Sequence, residues 1–362
     1  MELYQKRWQK ARELMAQKGI DALLVTPSTD LAYMTGHTGQ SMERIVCFAL
    51  TQERVFFLMP SFEMDNLSEG LRQWVECIGW KDGEDPLAML AALPGIKGRI
   101  AVGQRMYGIW LLGLQERIPG AQWVNGDVIL STLRRVKDAQ ELGYMFRAQH
   151  MAEAALEKLY AIGLEGKTER EVASLLSELR LAEGLESVRS GIVACSENAA
   201  APHHVNGDRV ICKGDSVMMD FGGLYKGYSA DMTRTCVVGK APEGFEEIYA
   251  IVLKAHLAVA KAIRPGVPAE EIDRTARRII TDAGYGAYFT HRVGHGIGLD
   301  VHEDPYMVEG NKELLVPGNV FSDEPGIYLP GRFGIRIENL MVVTETGSKA
   351  LNEMGLELRV VG

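Results

Sequence analysis

The sequence predicts a two-domain α+β protein, with a small α/β domain over residues 1–132 and a larger domain over residues 133–362. A chain of 362 residues exceeds an average domain, so two domains are expected. Its first third alternates short apolar runs with helical stretches, whereas the rest carries longer helical patterns that recur. We therefore expect each domain to have its own hydrophobic core.

The N-terminal third begins with a predicted amphipathic helix over residues 4–18. Apolar residues recur there at helical spacing from Tyr4 to Met15, and Gly19 is a typical stop signal. Short runs rich in β-branched and aromatic residues then predict strands. These runs are DALLVT, ERIVCFALT, ERVFFLMP and RIAVGQ.

The second domain contains a helix pair that recurs about 100 residues later. Asp138 and Glu141 form a capping box that predicts a helix to about Ile162, and a second helix follows over 168–184. A similar pair is expected at 244–263 and 268–283. Internal duplication explains this recurrence, although patterns of a glycine turn followed by a helix are also common by chance.

The strands repeat in the same way. The segments KGDSVMMD and PGNVFSDE each lead from a glycine turn into a short strand that ends on a carboxylate, Asp220 or Glu324. Each is followed by a second acid, Asp231 or Glu338, on the next predicted strand. We expect two hairpins that meet around a pseudo-twofold axis.

Composition and charge exclude several classes of partner. The net charge of −9 disfavours nucleic acid, and no apolar run approaches the roughly 18 residues that cross a bilayer. The charged segment MELYQKRWQKARELM does not resemble a signal peptide. Five scattered cysteines without a C-x-x-C pattern are typical of a reduced protein, so a cytoplasmic location is expected.

Four carboxylates and one imidazole near the C-terminal end predict a metal site. Each lies in a short glycine- or proline-flanked segment with strand-like character: Asp220, Asp231, His295, Glu324 and Glu338. Taken singly, each acid is more simply read as a surface group. Buried together, they need about two divalent ions for charge balance, and a mainly oxygen set with one nitrogen suits Mn²⁺, with Co²⁺, Zn²⁺ or Fe²⁺ as alternatives.

The motifs APHH, MDFGGLYKGYSADMTRT, HRVGHGIGLDVHE, SDEPGIY and GIRIEN resemble those of the pita-bread metallopeptidases. Within that family the chain is similar to the proline-specific branch, Xaa-Pro dipeptidase and aminopeptidase P. The segment GIDALLVTPSTDLAYMTG resembles the start of a creatinase-type N-terminal domain. The resemblance implies a duplicated, curved antiparallel sheet with helices, a homodimer, and hydrolysis of the Xaa-Pro bond of short peptides by a hydroxide bridging two metal ions.

The resemblance also implies a role for each site residue. Asp231 would hold one ion and His295 and Glu324 the other, with Asp220 and Glu338 shared between them. Glu324 would in addition move the proton, and His302 would stabilise the oxyanion. The implied substrate-binding residues are His203, His291, His302 and Arg336, with His203 and His302 also counted as catalytic.

Two residues depart from the family pattern. His204 stands where the branch often has glycine, and it is interpreted as an idle neighbour of His203. Asp323 stands where an apolar residue is usual, and it either faces away from the site or tunes Glu324.

Other functions on the same fold remain open from the sequence. They are hydrolysis of a small non-peptide amide or amidine, as in creatinase- and ectoine-hydrolase-like members, and methionine aminopeptidase activity. A non-catalytic binding module is the alternative of a different class, and the retained acids argue against it.

Overall fold

The computed structural model describes residues 2–39 and 42–362 and contains two compact units, the first ending at Arg134 and the second spanning Arg135–Gly362. The helix predicted over residues 4–18 is confirmed as Glu2–Gln17. The four predicted strand segments of the first unit are confirmed as well.

In its described residues the first unit is a mixed six-stranded sheet with flanking helices. The helices are α1 (Glu2–Gln17), α2 (Thr29–Thr35), α3 (Glu69–Arg72), α4 (Pro86–Ala91), α5 (Gly108–Arg117) and α6 (Asp127–Arg134). The strands are β1 (Ala22–Val25), β2 (Cys47–Thr51), β3 (Val55–Pro60), β4 (Glu76–Trp80), β5 (Arg99–Val102) and β6 (Gln122–Asn125). Their order in the sheet is β4-β3-β2-β1-β5-β6, and β1, β2 and β3 are buried along their whole length.

The second unit begins each of its halves with two packed helices. These helices are α7 (Ala139–Ile162), α8 (Glu169–Ala182), α9 (Phe245–Ala262) and α10 (Ala269–Asp282). The capping boxes of α7, at Asp138 with Glu141, and of α8, at Thr168 with Glu171, are both formed. Each box satisfies main-chain N–H groups that the first turn of a helix would otherwise leave unpaired.

The strands of the second unit form two larger sheets and one two-stranded ribbon. They are β7 (Ile192–Cys195), β8 (Ser216–Tyr225), β9 (Tyr228–Val238), β10 (Gly294–Gly296), β11 (Glu303–Met307), β12 (Val320–Asp323), β13 (Gly326–Leu329), β14 (Phe333–Arg336), β15 (Asn339–Val343), β16 (Ser348–Ala350) and β17 (Arg359–Val361). The sheet orders are β17-β9-β8-β7 and β11-β10-β12-β15-β16, with β13 and β14 paired as the ribbon.

Main-chain hydrogen bonds confirm the internal duplication at an offset of 100 residues. Before α8, the N–H of Gly166 donates to the carbonyl of Ile211, and before α10 the N–H of Gly266 donates to that of Leu315, each at 2.9 Å. Both glycines have positive φ, +79° and +82°, which favours glycine at each turn. The two halves of the unit therefore have the same backbone arrangement, which we call the duplicated frame.

The helix α7 covers the first half of the duplicated sheet with one apolar face. Its buried residues recur at helical spacing, for example Ala148, Ala152, Ala155 and Leu159. They pack with the strands of β7, β8 and β9 in a single hydrophobic cluster. Within residues 2–39 and 42–362, no helix combines the length and the apolar character that crossing a bilayer requires.

Candidate metal centre

The hairpin of β8 and β9 presents two acids on one face. In its register Asp220 lies opposite Thr233 and Gly222 lies opposite Asp231. Because alternate residues of a strand share a face, Asp220, Asp231 and Thr233 project to the same side. Gly222 is required at its position, since a Cβ there would lie 1.9 Å from the carbonyl oxygen of Ala230.

The corresponding hairpin of the second half is interrupted where its two acids lie. The pairing of β12 with β15 ends at Asp323 opposite Asn339, and that of β13 with β14 resumes at Gly326 opposite Arg336. Glu324 and Pro325 fill the gap, and Pro325 has no N–H to donate to a strand ladder. Glu338 lies in the facing gap, so the break turns both glutamates out of regular pairing.

His295 lies on β10 with its ring fixed by the main chain. Its Nδ1 donates to the carbonyl of Gly296 at 3.1 Å, and its main-chain N–H donates to Ser322 Oγ at 3.0 Å. The unprotonated Nε2 therefore faces the acids, 3.3 Å from Glu324 Oε1 and 3.9 Å from Asp231 Oδ2. A ring held in this tautomer is ready to ligate a metal ion.

The structure brings every predicted site residue to the wall of one cavity of about 420 Å³. The predicted residues on this wall are Asp220, Asp231, His295, Glu324, Glu338, His203, His291, His302 and Arg336. Candidate ligand atoms of Asp231, His295 and Glu338 all lie within 4.8 Å of one another. Glu324 and Asp220 lie beside this trio in the same cavity. The individual role of each residue stays a prediction.

Burial and mutual repulsion drive these acids toward their neutral forms. The pKa values of Asp231 and Glu338 are raised well above the usual carboxylate range, first by burial and then by neighbouring carboxylates. Burial also raises the pKa of Glu324 to about 7 and lowers that of His295 to about 3. Such a site stabilises added positive charge.

Arg336 supplies one compensating charge. Its guanidinium forms an ion pair with Asp220 and donates to Thr233 Oγ1 at 3.0 Å and to Tyr328 Oη at 2.8 Å. Burial alone would lower its pKa, but the surrounding oxygens raise it well above the usual value. Arg292 lines the same cavity, so two guanidinium groups lie beside the four carboxylates.

Three histidines complete the wall. The ring of His302 lies 4.0 Å from that of His295, centroid to centroid. His291 donates from Nδ1 to the carbonyl of Arg292 and accepts at Nε2 from Tyr328 Oη, each at 2.7 Å. Burial lowers the pKa of His291 to about 4 and, with the charge of Arg292, also lowers the pKa of His302. The rings of His291 and His302 are therefore neutral near pH 7.

Sequence reasoning missed the polar residues that hold the acids. Thr233 Oγ1 donates to Glu338 Oε2 at 2.7 Å, and Ser322 Oγ donates to Glu324 Oε1 at 2.9 Å. Each of these two residues lies two positions before or after a predicted ligand, Asp231 or Glu324, so the strand period of two could have indicated both. Arg292, which also lines the cavity, carries no such signal.

The two departures from the family pattern now have locations. Asp323 is fully buried and faces away from the cavity, with its Oδ2 3.0 Å from His256 Nδ1 on α9. The interpretation of His204 as idle is wrong, because its Nε2 lies 2.8 Å from Glu169 Oε2 and the two side chains are hydrogen-bonded. That contact spans 35 residues, so the local motif gave no sign of it.

The donor set fits divalent metal ions. Four carboxylates and a ring nitrogen held in the ligating tautomer form a mainly oxygen site of the kind that Mn²⁺, Zn²⁺, Co²⁺ and Fe²⁺ occupy. A cavity of about 420 Å³ beside it accepts a small molecule. A divalent-metal site that opens onto a small-molecule cavity is typical of metal-dependent hydrolases.

Comparison with known proteins agrees with this class. Residues 143–345 match the model of metallopeptidase family M24, and residues 7–136 match that of the creatinase/prolidase N-terminal domain. The chain belongs to metallopeptidase family M24 and is a metal-dependent peptidase that uses divalent ions. The fold expected from the resemblance is thereby confirmed.

Individual relatives match the chain over its whole length. The probable dipeptidase PepE of Mycobacterium tuberculosis is 38% identical over 99% of this chain and 97% of its own. The Xaa-Pro dipeptidase of Pyrococcus horikoshii is 33% identical over 99% and 100%. The crystal structure of dipeptidase PepE from Mycobacterium ulcerans matches with a TM-score of 0.95 at 37% identity, covering 99% of this chain and 98% of that one.

Proposed function

We propose that this protein is a dinuclear exopeptidase that hydrolyses the bond between an N-terminal residue and a following proline in dipeptides or short peptides. One observation carries most weight: four carboxylates and an imidazole converge on a cavity of about 420 Å³ whose wall also carries two arginines and three further histidines. A cavity of that size suits a small ligand. The relatives named dipeptidase and Xaa-Pro dipeptidase support the substrate class.

The proposed ligands divide between two ions. Asp231 would hold one ion and His295 with Glu324 would hold the other, while Asp220 and Glu338 would contribute to both. When bound, the ions supply Lewis-acid polarisation of the scissile carbonyl and the positive charge that keeps these acids ionised. The mainly oxygen donor set favours Mn²⁺, and the single imidazole also suits Co²⁺, Zn²⁺ or Fe²⁺.

The remaining residues orient the substrate and move protons. Glu324 would accept a proton from the water that attacks the scissile carbonyl and pass it to the proline nitrogen as the C–N bond breaks. The hydrogen bond from Ser322 helps to orient its carboxylate. His302, neutral and beside His295, donates to the oxyanion that develops on the scissile carbonyl. His203, on the loop that precedes β8, would bind the substrate from its own side of the cavity.

The proline side of the cavity is formed by His291 and Arg336. A donor chain runs from Arg336 through the Tyr328 hydroxyl to His291, which fixes both side chains. Arg336 is already bonded to Asp220, whereas Arg292 reaches the same cavity and stacks on Tyr306 at 4.5 Å. Either guanidinium can attract the carboxylate of a short substrate, which favours peptides whose C-terminus lies close to the bond cleaved.

An assay with matched substrates tests the proposal. The metal-free protein is reconstituted with Mn²⁺ and given Ala-Pro, Ala-Pro-amide and Ala-Pro-Ala. We expect release of alanine from Ala-Pro, loss of turnover with EDTA, and recovery with Mn²⁺. The ratio of dipeptide to tripeptide turnover separates dipeptidase from aminopeptidase activity. Turnover of a cyclic amidine with none of Ala-Pro contradicts the assignment, and failure to bind Mn²⁺ by elemental analysis favours a binding module.

We also propose that the protein is a cytoplasmic homodimer, as the family resemblance implies. Light scattering after size exclusion measures the first property. A mass near the 39.9 kDa of a single chain at micromolar concentration contradicts it. Fractionation of the source cells measures the second.

A further inference from the structure

A single buried carboxylate collects the hydrogen bonds of the loop that carries His203. We call residues 195–207 the histidine loop. Glu169, the first residue of α8, is completely buried and accepts hydrogen bonds from four donors of this loop. The donors are the main-chain N–H of Cys195 (2.8 Å), Asn198 Nδ2 (2.9 Å), His204 Nε2 (2.8 Å) and the main-chain N–H of Gly207 (2.9 Å).

These bonds hold Glu169 in its charged form. Burial alone would raise its pKa, but the hydrogen bonds outweigh burial and the net pKa is lowered. Hydrogen bonds to an ionised acceptor are stronger than those between neutral groups. Glu169 therefore fixes the start, middle and end of the histidine loop to α8.

The duplicated frame shows that the carboxylate is not needed to begin the helix. The residue 100 positions later, Ala269, is also the first residue of its helix, is also buried, and has no side chain that can accept a hydrogen bond. The main-chain bonds around the two positions are the same: Glu169 donates to the carbonyl of Arg209, and Ala269 donates to that of Glu313. The Glu169 carboxylate therefore serves the histidine loop rather than the start of its helix.

The two adjacent histidines leave the loop in different directions. His203 lines the metal cavity, whereas His204 reaches Glu169. The loop is also fixed on its cavity side, where the carbonyl of Ala199 packs so tightly against Gly334 that a Cβ there would lie 1.8 Å away. Held at both sides, the main chain at residue 203 has little freedom to rotate its side chain out of the cavity.

We propose that His204, held by Glu169, is a positioning residue that keeps His203 aimed into the active-site cavity. This inference rests on the proposed peptidase function, because it concerns how that reaction binds its substrate. His204 itself does not touch the substrate. Its contribution is the fixed geometry of the neighbouring side chain, and misplacement of such a group by about 1 Å can cost about 100-fold in rate.

The test is a double-mutant cycle on the Mn²⁺-loaded full-length enzyme with Ala-Pro as substrate. We expect His204→Ala to lower kcat/KM about 10-fold, mainly through KM, with metal content unchanged. His204→Gln, whose amide nitrogen can replace Nε2, restores most of the activity. In a His203→Ala background the His204→Ala change has no further effect, because it acts only through His203.

Hydrogen exchange provides a readout that needs no substrate. We expect faster amide exchange over residues 195–207 in His204→Ala and Glu169→Gln, and wild-type exchange in His204→Gln. Arg170→Gln is the matched control, since it removes an exposed ion pair between α8 and Asp208 without touching Glu169. This control keeps wild-type activity and wild-type exchange within the loop.

Two results overturn the inference. Independent, multiplicative losses in the double variant show that His204 does not act through His203, and unchanged exchange in His204→Ala shows that it does not anchor the loop. A wild-type protein that cleaves no Ala-Pro instead overturns the proposed function, and with it the role of His203. The exchange experiment still decides the anchoring in that case.

Discussion

The two halves of the C-terminal unit share one backbone frame but place different side chains on it. Counting from the hairpin ends, where Tyr225 pairs with Tyr228 and Leu329 pairs with Phe333, Asp220 occupies the same position as Glu324. Both acids lie five residues before the end of the first arm. The first proposed ligand of each half is therefore equivalent in position to that of the other half.

The second proposed ligands of the two halves are not equivalent in position. By the same count, Asp231 corresponds to Arg336, and Thr233 corresponds to Glu338. Thr233 and Glu338 also touch each other, through the hydrogen bond of 2.7 Å. Duplication thus supplied the arrangement of strands, and the charges were then distributed unequally. One half supports an arginine where the other has an acid.

A second difference lies beneath the site. In the first half Leu156 on α7 and Met219 on β8 belong to one apolar cluster and are completely buried. At the equivalent positions the second half has His256 and Asp323, also buried and in contact with each other. The same space is therefore filled by a polar pair in one half and by hydrocarbon in the other.

The largest expected effect comes from Glu324. Glu324→Ala removes the proposed proton carrier, so turnover of Ala-Pro with Mn²⁺ should fall by about 10³-fold or more. Because burial and the repulsion of Asp220 raise the pKa of Glu324, removing it relieves strain in the metal-free protein. We expect the thermal midpoint measured in EDTA to stay level or to rise.

Asp220→Asn tests whether the two equivalent positions, Asp220 and Glu324, contribute differently to stability. It deprives the buried Arg336 of its ion-pair partner, so this variant should lose stability in EDTA as well as activity. If both variants lost the same stability, the proposed asymmetry between the halves would be wrong. A Glu324→Ala enzyme that kept more than a small fraction of the wild-type rate would exclude the proton-carrier role.

The polar pair beneath the site gives the next largest effect, on stability. His256→Leu leaves the buried carboxyl of Asp323 without its imidazole partner and should lower the free energy of unfolding by about 3 kcal/mol. The double variant His256→Leu with Asp323→Met reproduces the apolar filling of the first half. It should recover to within about 1 kcal/mol of wild type. Urea unfolding of the full chain in EDTA measures both.

His150→Leu is the control for replacing a histidine on a helix of this unit. Its side chain is half exposed on α7, so its replacement should change stability by less than about 0.5 kcal/mol. A double variant no more stable than His256→Leu alone would show that the two halves do not tolerate the same filling.

The sequence predicted most of the duplicated backbone arrangement because its helices and turns are set by signals that lie close together in the chain. The capping boxes at Asp138 and Thr168 and the glycine turns at Gly166 and Gly266 act within a few residues of themselves. The five proposed ligands were predicted from motifs, and the structure brings them to one cavity.

The rest depends on contacts between distant segments. Asp220 and Arg336 are separated by 116 residues, and no periodicity links an acid to a guanidinium at that distance. The contact of His204 with Glu169 is of the same kind. Arg336 was expected to face the substrate, and the motif around it gave no indication that it also neutralises Asp220.

Two equivalent glycines give the most direct comparison of the halves. Gly222 and Gly326 occupy the same hairpin position. A Cβ at Gly222 would lie 1.9 Å from the main-chain oxygen of Ala230, which cannot move without breaking the ladder. At Gly326 the nearest atom, at 2.5 Å, is the hydroxyl of Tyr328, the end of a side chain. We expect Gly222→Ala to destabilise the metal-free protein by about 3 kcal/mol and Gly326→Ala by about 1 kcal/mol.

The effects of the two glycine variants on activity should follow the opposite order to their effects on stability. Displacing the Tyr328 hydroxyl breaks its bonds to Arg336 and His291, so Gly326→Ala should raise the KM for Ala-Pro more than its small loss of stability suggests. Gly143→Ala, on the second turn of α7 with open space around it, is the control and should stabilise the protein by about 0.5 to 1 kcal/mol. Equal destabilisation by the two hairpin variants would mean that the second half is as rigid as the first, and that the break at Pro325 does not loosen the strands around Glu324 and Glu338.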